Sequence, residues 1–339
     1  MPWSLVGNEG AIRVLQAGLA NGAAHAYILA GPSGTGRATA ARQLAQALNC
    51  TGAEPPCGAC TACKRIAAGI HADVQTVSLD TDADGAARKS ISVEQMREVE
   101  AAIALAPYEG RTRVAMVDPA DEMSITAQNA FLKTLEEPPP HAVFVLIVQN
   151  DERLLETIRS RCTRVEFHLA PARDIEAALL ARGVEAERAR LLARLCGGRP
   201  GWALEAASNP RRLEHREEAL ATARSLPQLP LADRMDLAER LWDAFKRDRG
   251  PVIRQLDEWA GWWRDVLLTQ SGAEDSIANL DETAAIAADA REYRRHEVAR
   301  FVQAIVEARG YLGENVQSRI VLDALMMDAP RPGAASRDR

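Results

Sequence analysis

Residues 26–39 constrain the fold more than any other stretch. Ala26-Tyr27-Ile28-Leu29-Ala30 is an apolar run of strand length that enters a glycine-rich turn, Gly31-Pro32-Ser33-Gly34-Thr35-Gly36-Arg37-Ala38-Thr39. From Gly36 to Leu48 the spacing becomes helical, with Ala40, Leu44, Ala45 and Leu48 on one side. A strand, a tight glycine turn and a helix in that order open a layered α/β domain. Further strands are expected at 74–79, 114–118, 143–148 and 164–169. Their near-continuous apolar content suits a parallel sheet covered on both faces. Ser92-Val93-Glu94-Gln95 fits a capping box and opens a helix to about Leu105, ahead of Pro107.

After Pro171 the strand signals vanish. Residues 171–204 read as a small helical unit closing at Gly197-Gly198-Arg199-Pro200-Gly201, and Asn209-Pro210 as a linker. Amphipathic helices follow, among them 231–249, 252–269 and 296–310, and the tail from Ala329 has no core-forming pattern and is expected to be mobile. A chain of 339 residues accommodates two or three domains. The expected division is 1–169, 170–208, 209–328 and the tail 329–339, with no internal repeat. No run approaches the length of a membrane span, and the start, Met1-Pro2-Trp3-Ser4, lacks the basic and apolar regions of a secretory signal. A cytoplasmic location is expected.

The glycine turn has the context of a phosphate-binding loop, G-x-x-x-x-G-K-[ST]. Gly31, Gly34 and Gly36 let backbone N–H groups face phosphate oxygens, and the helix that follows offers its positive end. The two chemically active positions have changed. Arg37 replaces the lysine that reaches the β/γ-phosphates, and Ala38 replaces the hydroxyl that ligates Mg²⁺. A planar guanidinium is a poor substitute for a compact ammonium. Thr39 carries a hydroxyl one residue late, about 100° around the helix. Asp118 ends the 114–118 strand where an Mg²⁺-organising acid is expected, but Pro119 stands where hydrolysing relatives of this architecture carry a water-polarising glutamate. Asp121 and Glu122 are displaced from that position. The expectation is a turn kept for the fold: ATP is not hydrolysed here, and whether it binds is left open.

Cys50, Cys57, Cys60 and Cys63 fall within fourteen residues just after the first helix of this unit. Two overlapping C-x2-C steps suit a tetrahedral Zn²⁺ site, and a closed four-sulfur shell makes such a site structural. Gly52, Pro55, Pro56 and Gly58 supply turns around it. Redox-switch thiols, an iron–sulfur cluster or unligated cysteines are the alternatives. Cys162 and Cys196 read as small buried residues, and His71 as an ordinary surface or core histidine.

Ala26–Cys50 with the cysteine insert, Asn129-Ala130-Phe131-Leu132-Lys133-Thr134-Leu135-Glu136-Glu137-Pro138-Pro139, and Ser160-Arg161-Cys162 together resemble the bacterial clamp-loader subunits of DNA polymerase III. The resemblance is strong from Trp3 to about Leu204 and weaker beyond, through Trp263-Arg264-Asp265-Val266-Leu267-Leu268. It implies an AAA+ domain with a RecA-like parallel sheet, a small helical lid and an all-α C-terminal collar. Two members of that family carry the cysteine insert, an ATP-hydrolysing γ/τ subunit and a non-hydrolysing δ′ subunit. The losses at Arg37, Ala38 and Pro119 look like the second, as does the length. Trp202 occupies a position where the family commonly has a second-sensor arginine.

The resemblance further implies that Arg161, between Ser160 and Cys162, reaches across a subunit boundary onto ATP held by a neighbour, stabilising charge on the transferred phosphoryl group. The implied partners are γ/τ and δ subunits, with the sliding clamp and primer–template DNA met through the complex. A net charge of −6 restricts any DNA-facing basic surface to a local patch. An active ATPase subunit and a zinc-containing AAA+ adaptor outside replication are the competing readings. Glu136 and Glu137 read as a helix end rather than catalytic carboxylates, and Trp259, Trp262 and Trp263 as a packing face rather than a base-stacking one.

Overall fold

A computed structural model describes residues 3–79, 90–313 and 317–331. The acidic stretch 80–84, expected on a solvated surface, lies outside the described residues, as does the tail from 332. Two compact units are present. One comprises Met1–Ala178 and Gly198–Trp202, the other Leu179–Gly197 and Ala203–Arg339. The segment 170–208 therefore contributes to both.

The first unit is built on strands β1 (Ala26–Ala30), β2 (Val74–Val77), β3 (Arg113–Val117), β4 (Ala142–Val148) and β5 (Thr163–Glu166). They form one parallel sheet in the order β2-β3-β4-β1-β5, the sheet expected of the AAA+ domain. Tyr27 pairs in register with Val145 on one side and Thr163 on the other. Helices α1 (Glu9–Asn21), α2 (Arg37–Asn49), α3 (Thr61–Ala67), α4 (Val93–Ile103), α5 (Ile125–Glu136), α6 (Glu156–Arg159) and α7 (Ala172–Leu180) flank or connect the strands.

Every residue of β1 and β4 is buried, as continuous apolar strands between two helical layers should be. The edge strands differ. β2 ends at Val77 and β5 at Glu166, short of the expected 79 and 169, and three of the four β5 residues are exposed. One face of the sheet packs Ile28, Phe144 and Leu146 against Met96, Val99 and Phe131; the other packs Tyr27, Leu29 and Val145 against Leu15, Ala40 and Leu44. The capping box forms as expected, with Ser92 accepting from Gln95 N–H and the Gln95 amide oxygen accepting from Ser92 N–H.

Asp73, just before β2, ties the sheet edge to the turn that precedes β3. Its buried carboxylate accepts from the backbone N–H groups of Tyr108, Glu109 and Gly110 at 2.7–2.9 Å and faces Arg113 at 3.5 Å. Burial works to raise its pKa, but the three donors and the guanidinium outweigh burial and hold it below the usual carboxylate range. A depressed folded-state pKa gives stability that is present above the unfolded value, about 4, and is lost as pH falls through the folded one. Asp73→Asn should therefore lower unfolding free energy by about 1–3 kcal/mol at pH 7, with a smaller loss at pH 3. Urea melts at both pH values check this; equal losses would contradict it.

The second unit is helical: α8 (Ala186–Leu195), α9 (Pro200–Ser208, which begins in the first unit), α10 (Arg211–Ser225), α11 (Leu231–Arg247), α12 (Arg249–Thr269), α13 (Thr283–Glu292), α14 (Arg295–Gly313) and α15 (Ser318–Met327). Its core centres on Trp259, Trp262 and Trp263, all without exposed surface. Trp263 stacks edge-on against Tyr293 and Phe301, and Trp259 donates its indole N–H to the Ala219 carbonyl at 3.0 Å. The face is a packing face, and no base could reach it. Ala329, expected in the mobile tail, is buried in the same core. Among the described residues no helix is long and apolar enough to cross a membrane.

Candidate functional site

β1 runs between β4 and β5, and the turn 31–36 reverses the chain into α2. Gly31, Gly34 and Gly36 all have positive φ, at 148°, 77° and 99°. Gly31 also has no room for a side chain, because a Cβ would run into the Phe167 carbonyl. The loop has its expected backbone, and two of its polar groups are held within the fold. Thr35 is buried and donates to the Pro32 carbonyl at 2.8 Å, and the Gly34 carbonyl accepts from Gly201 N–H at 2.9 Å.

Arg37, the first residue of α2, is buried and its Nη1 donates to the Val148 carbonyl at the end of β4. Burial lowers its pKa, against the opposing pull of Asp118 and Asp121. Burial raises the Asp118 pKa, with Arg37 opposing and Asp121 adding to the rise. Arg37 is thus buried in the field of the half-buried Asp118 and Asp121, with the cation turned toward the sheet. Ala38 and Thr39 follow on α2, so neither restores the Arg37 position. Asp121 accepts from Gln149 and Asn150 N–H at 3.0 and 3.2 Å, and Glu122 pairs with Arg153 at 2.8 Å. Both displaced acids therefore have structural work at the ends of strands.

The cysteine insert connects α2 to α3. The Sγ atoms of Cys50, Cys57, Cys60 and Cys63 lie within 4.8 Å of one another, with Cys50–Cys60 and Cys57–Cys63 at 4.0 Å. Zn–S bonds of about 2.3 Å place tetrahedral sulfurs about 3.8 Å apart, so this donor set fits zinc. Backbone N–H groups point at the sulfurs: Gly52 and Cys57 at Cys50, Cys60 at Cys57, and Cys63 at Cys60, at 3.3–3.5 Å. Such donors favour thiolates. Those on Cys60, from Cys63 first and then Thr51, pull it down to about 5, whereas burial pushes Cys63 up to about 12. Gln46 of α2 donates to the Cys63 carbonyl at 2.8 Å and docks the insert. His71 stands apart: it is buried, and its Nδ1 accepts from Asp73 N–H at 3.1 Å.

Ser160, Arg161 and Cys162 form the turn between α6 and β5. Cys162 packs against the sheet core, and burial pushes its thiol up to about 12. Ser160 donates to the Thr157 carbonyl at 3.2 Å. Arg161 keeps 35% of its side-chain surface and faces outward from the turn, with Nη2 on Glu136 Oε1 and Nη1 on the Thr157 carbonyl, both at 2.8 Å. Cys196 is buried, donating to the Ala193 carbonyl at 3.3 Å.

The family described as DNA polymerase III, delta subunit, matches residues 7–171. The DNA polymerase III subunit delta' of Bacillus subtilis (strain 168) is 30% identical over 304 residues, spanning 89% of this chain and 90% of that protein. The chain belongs to the DNA polymerase III delta-prime family. The DNA polymerase III subunit gamma/tau of Mycobacterium tuberculosis (strain ATCC 25618 / H37Rv) is 38% identical over 165 residues, 48% of this chain and 27% of its own length. Among solved structures, a DNA polymerase III gamma subunit-related protein of Thermotoga maritima aligns over 93% of this chain and 97% of its own, with 16% identity and a TM-score of 0.45.

Two contacts in this delta-prime family member could not be read from the sequence. Glu136 is the partner of Arg161 across 25 positions of sequence, which no local pattern reveals. Arg199 lies over the glycine turn, its Cβ 3.1 Å from where a Gly34 Cβ would stand. That approach comes from the start of α9, whose backbone also bonds the turn. Its place three residues before Trp202, in the stretch that resembles the family's second-sensor region, was the sequence signal for it.

Proposed function

We propose that this chain is the non-hydrolysing subunit of a DNA polymerase III clamp loader and completes the ATP site of a neighbouring subunit with Arg161. One contrast carries the reading. The cation of its own phosphate loop, Arg37, is buried against the Val148 carbonyl, while the cation of the Ser160–Cys162 turn stands at the surface. Membership of the delta-prime family and similarity to gamma/tau support a place beside γ/τ and δ in one complex. The sliding clamp and primer–template DNA are then met through that complex, in the cytoplasm. DNA phosphates are contacted by backbone amides and local arginines, without reading sequence.

In this reading the vestigial loop of Gly31, Gly34, Gly36, Arg37, Ala38, Thr39 and Asp118 neither organises Mg²⁺ nor cleaves ATP. Trp202 leaves its own position without a cation, and Arg199 is the arginine of that stretch that lies over the glycine turn. Cys50, Cys57, Cys60 and Cys63 hold a structural Zn²⁺, whose contribution is to fix the insert on α2. Residues 1–169 act as the AAA+ domain, 170–208 as its lid and 209–328 as the collar.

Reconstitution with γ/τ and δ subunits tests the reading. ATP turnover should rise when this chain is added, while the isolated chain gives no Mg-ATP binding heat. Tight Mg-ATP binding by the isolated chain would overturn it. Restoring Arg37→Lys together with Ala38→Thr should still give turnover indistinguishable from background, because Pro119 supplies no carboxylate to polarise water. Robust hydrolysis by that double variant would place the defect in the loop alone.

A further inference from the structure

We propose that Glu136 is a positioning residue for Arg161, holding the guanidinium in one orientation for use across the subunit boundary. The inference rests on the reading of Arg161 as a group that acts on a neighbour's nucleotide. Arginine carries several rotatable bonds, and a half-exposed one samples many rotamers unless its head is tied. Here it is tied twice, from two helices: Nη2 to Glu136 Oε1 at the last residue of α5, and Nη1 to the Thr157 carbonyl in α6. Two anchors on different nitrogens fix the plane of the fork as well as its position. A single anchor would leave it free to spin.

The place of Glu136 supports a dedicated role. A carboxylate at the C-terminal end of a helix is unfavourable, because the helix dipole is negative there. Glu136 ends α5, is half-exposed, and finds its cation in Arg161. Exposed ion pairs contribute little to folding, so its effect is on orientation rather than on stability. The arrangement also leaves donors for a ligand. A guanidinium has five N–H bonds; Nη1 also reaches the Ser160 hydroxyl at 3.5 Å, but among the described residues Nε is not engaged and Nη2 has a second hydrogen beyond its anchor. Phosphoryl oxygens approaching from a neighbour meet a fork already aimed, which is how preorganised groups contribute to rate.

The test uses the reconstituted complex with Glu136→Ala, Glu136→Gln, Arg161→Ala and the double Glu136→Ala/Arg161→Ala chain. Glu136→Ala should lower kcat about 3–10-fold with KM for ATP unchanged. Glu136→Gln, which keeps an acceptor oxygen, should recover most of that loss, and the double variant should be no slower than Arg161→Ala alone. In the isolated chain, ¹⁵N relaxation of Arg161 Nε should report a rigid side chain in the parent and in Glu136→Gln, and a mobile one in Glu136→Ala. A rigid Arg161 and full turnover with Glu136→Ala would overturn the positioning role while leaving the finger intact. A further loss in the Arg161→Ala background would assign Glu136 another role and overturn it equally. Full turnover with Arg161→Ala would instead remove the finger reading, and the positioning role with it.

Discussion

Arg161→Ala should assemble with its partners at parental yield, yet abolish most of the turnover at the neighbouring ATP site that the proposed function assigns to it. Fingers of this kind contribute about 10³–10⁵ in rate where they have been measured, so the loss at that site should be at least about 10²-fold. The complex as a whole should fall to whatever its other sites supply. The fold has little reason to notice. Arg161 is half-exposed, its ion pair with the exposed Glu136 lies at the surface, and Cys162 beside it holds the turn to the core. Removing such a surface group changes stability by roughly 0.5 kcal/mol or less. Clamp- and DNA-stimulated ATPase, measured on complexes matched by gel filtration, reads the effect. Normal assembly with unchanged ATPase would show that Arg161 is an ordinary surface cation.

The same contrast explains which parts of this protein could be read from residues alone. β1 and β4 were legible because both faces are covered, so burial writes itself as unbroken apolar sequence. β5 pairs on one side only and exposes Arg164, which reaches to Asp151 and Glu166. Its polar residues made the end of the strand ambiguous. α12 starts at Arg249 rather than 252 because Asp248 accepts from Gly250 N–H and Pro251 falls in the first turn, where a missing donor costs nothing. Read locally, glycine and proline there suggested a break.

Side-chain direction was the harder matter. The sequence placed Arg37 in the lysine position, but its bond to the Val148 carbonyl depends on the end of β4 arriving beside the start of α2. In the same way Asp73 reads as a loop residue until the turn at 108–110 is brought to it. Contacts between distant segments decide both cases, and only the folded sheet brings those segments together.

Metal removal should have the second large effect, and it should be local before it is global. Structural zinc supplies about 10–16 kcal/mol of apparent folding free energy in small modules, far more than the few contacts available to a loop of this length. Without a cation, burial drives Cys63 toward the neutral thiol, while backbone donors favour the thiolate of Cys60. The four sulfurs then no longer share one electrostatic demand. Chelation should expose amides 50–63 to hydrogen exchange and release the Gln46 bond to Cys63. Ile66, whose side chain packs into the sheet core beside Leu44, should loosen next. β1 and β4 should stay protected, because their burial does not depend on the insert. Elemental analysis should give one zinc per chain, and Cys60→Ser should weaken retention against a chelator. Brown, iron-containing protein would point to a cluster instead. Metal-free protein prepared under reducing conditions with unchanged exchange at 50–63 would show that thiol packing alone holds the insert.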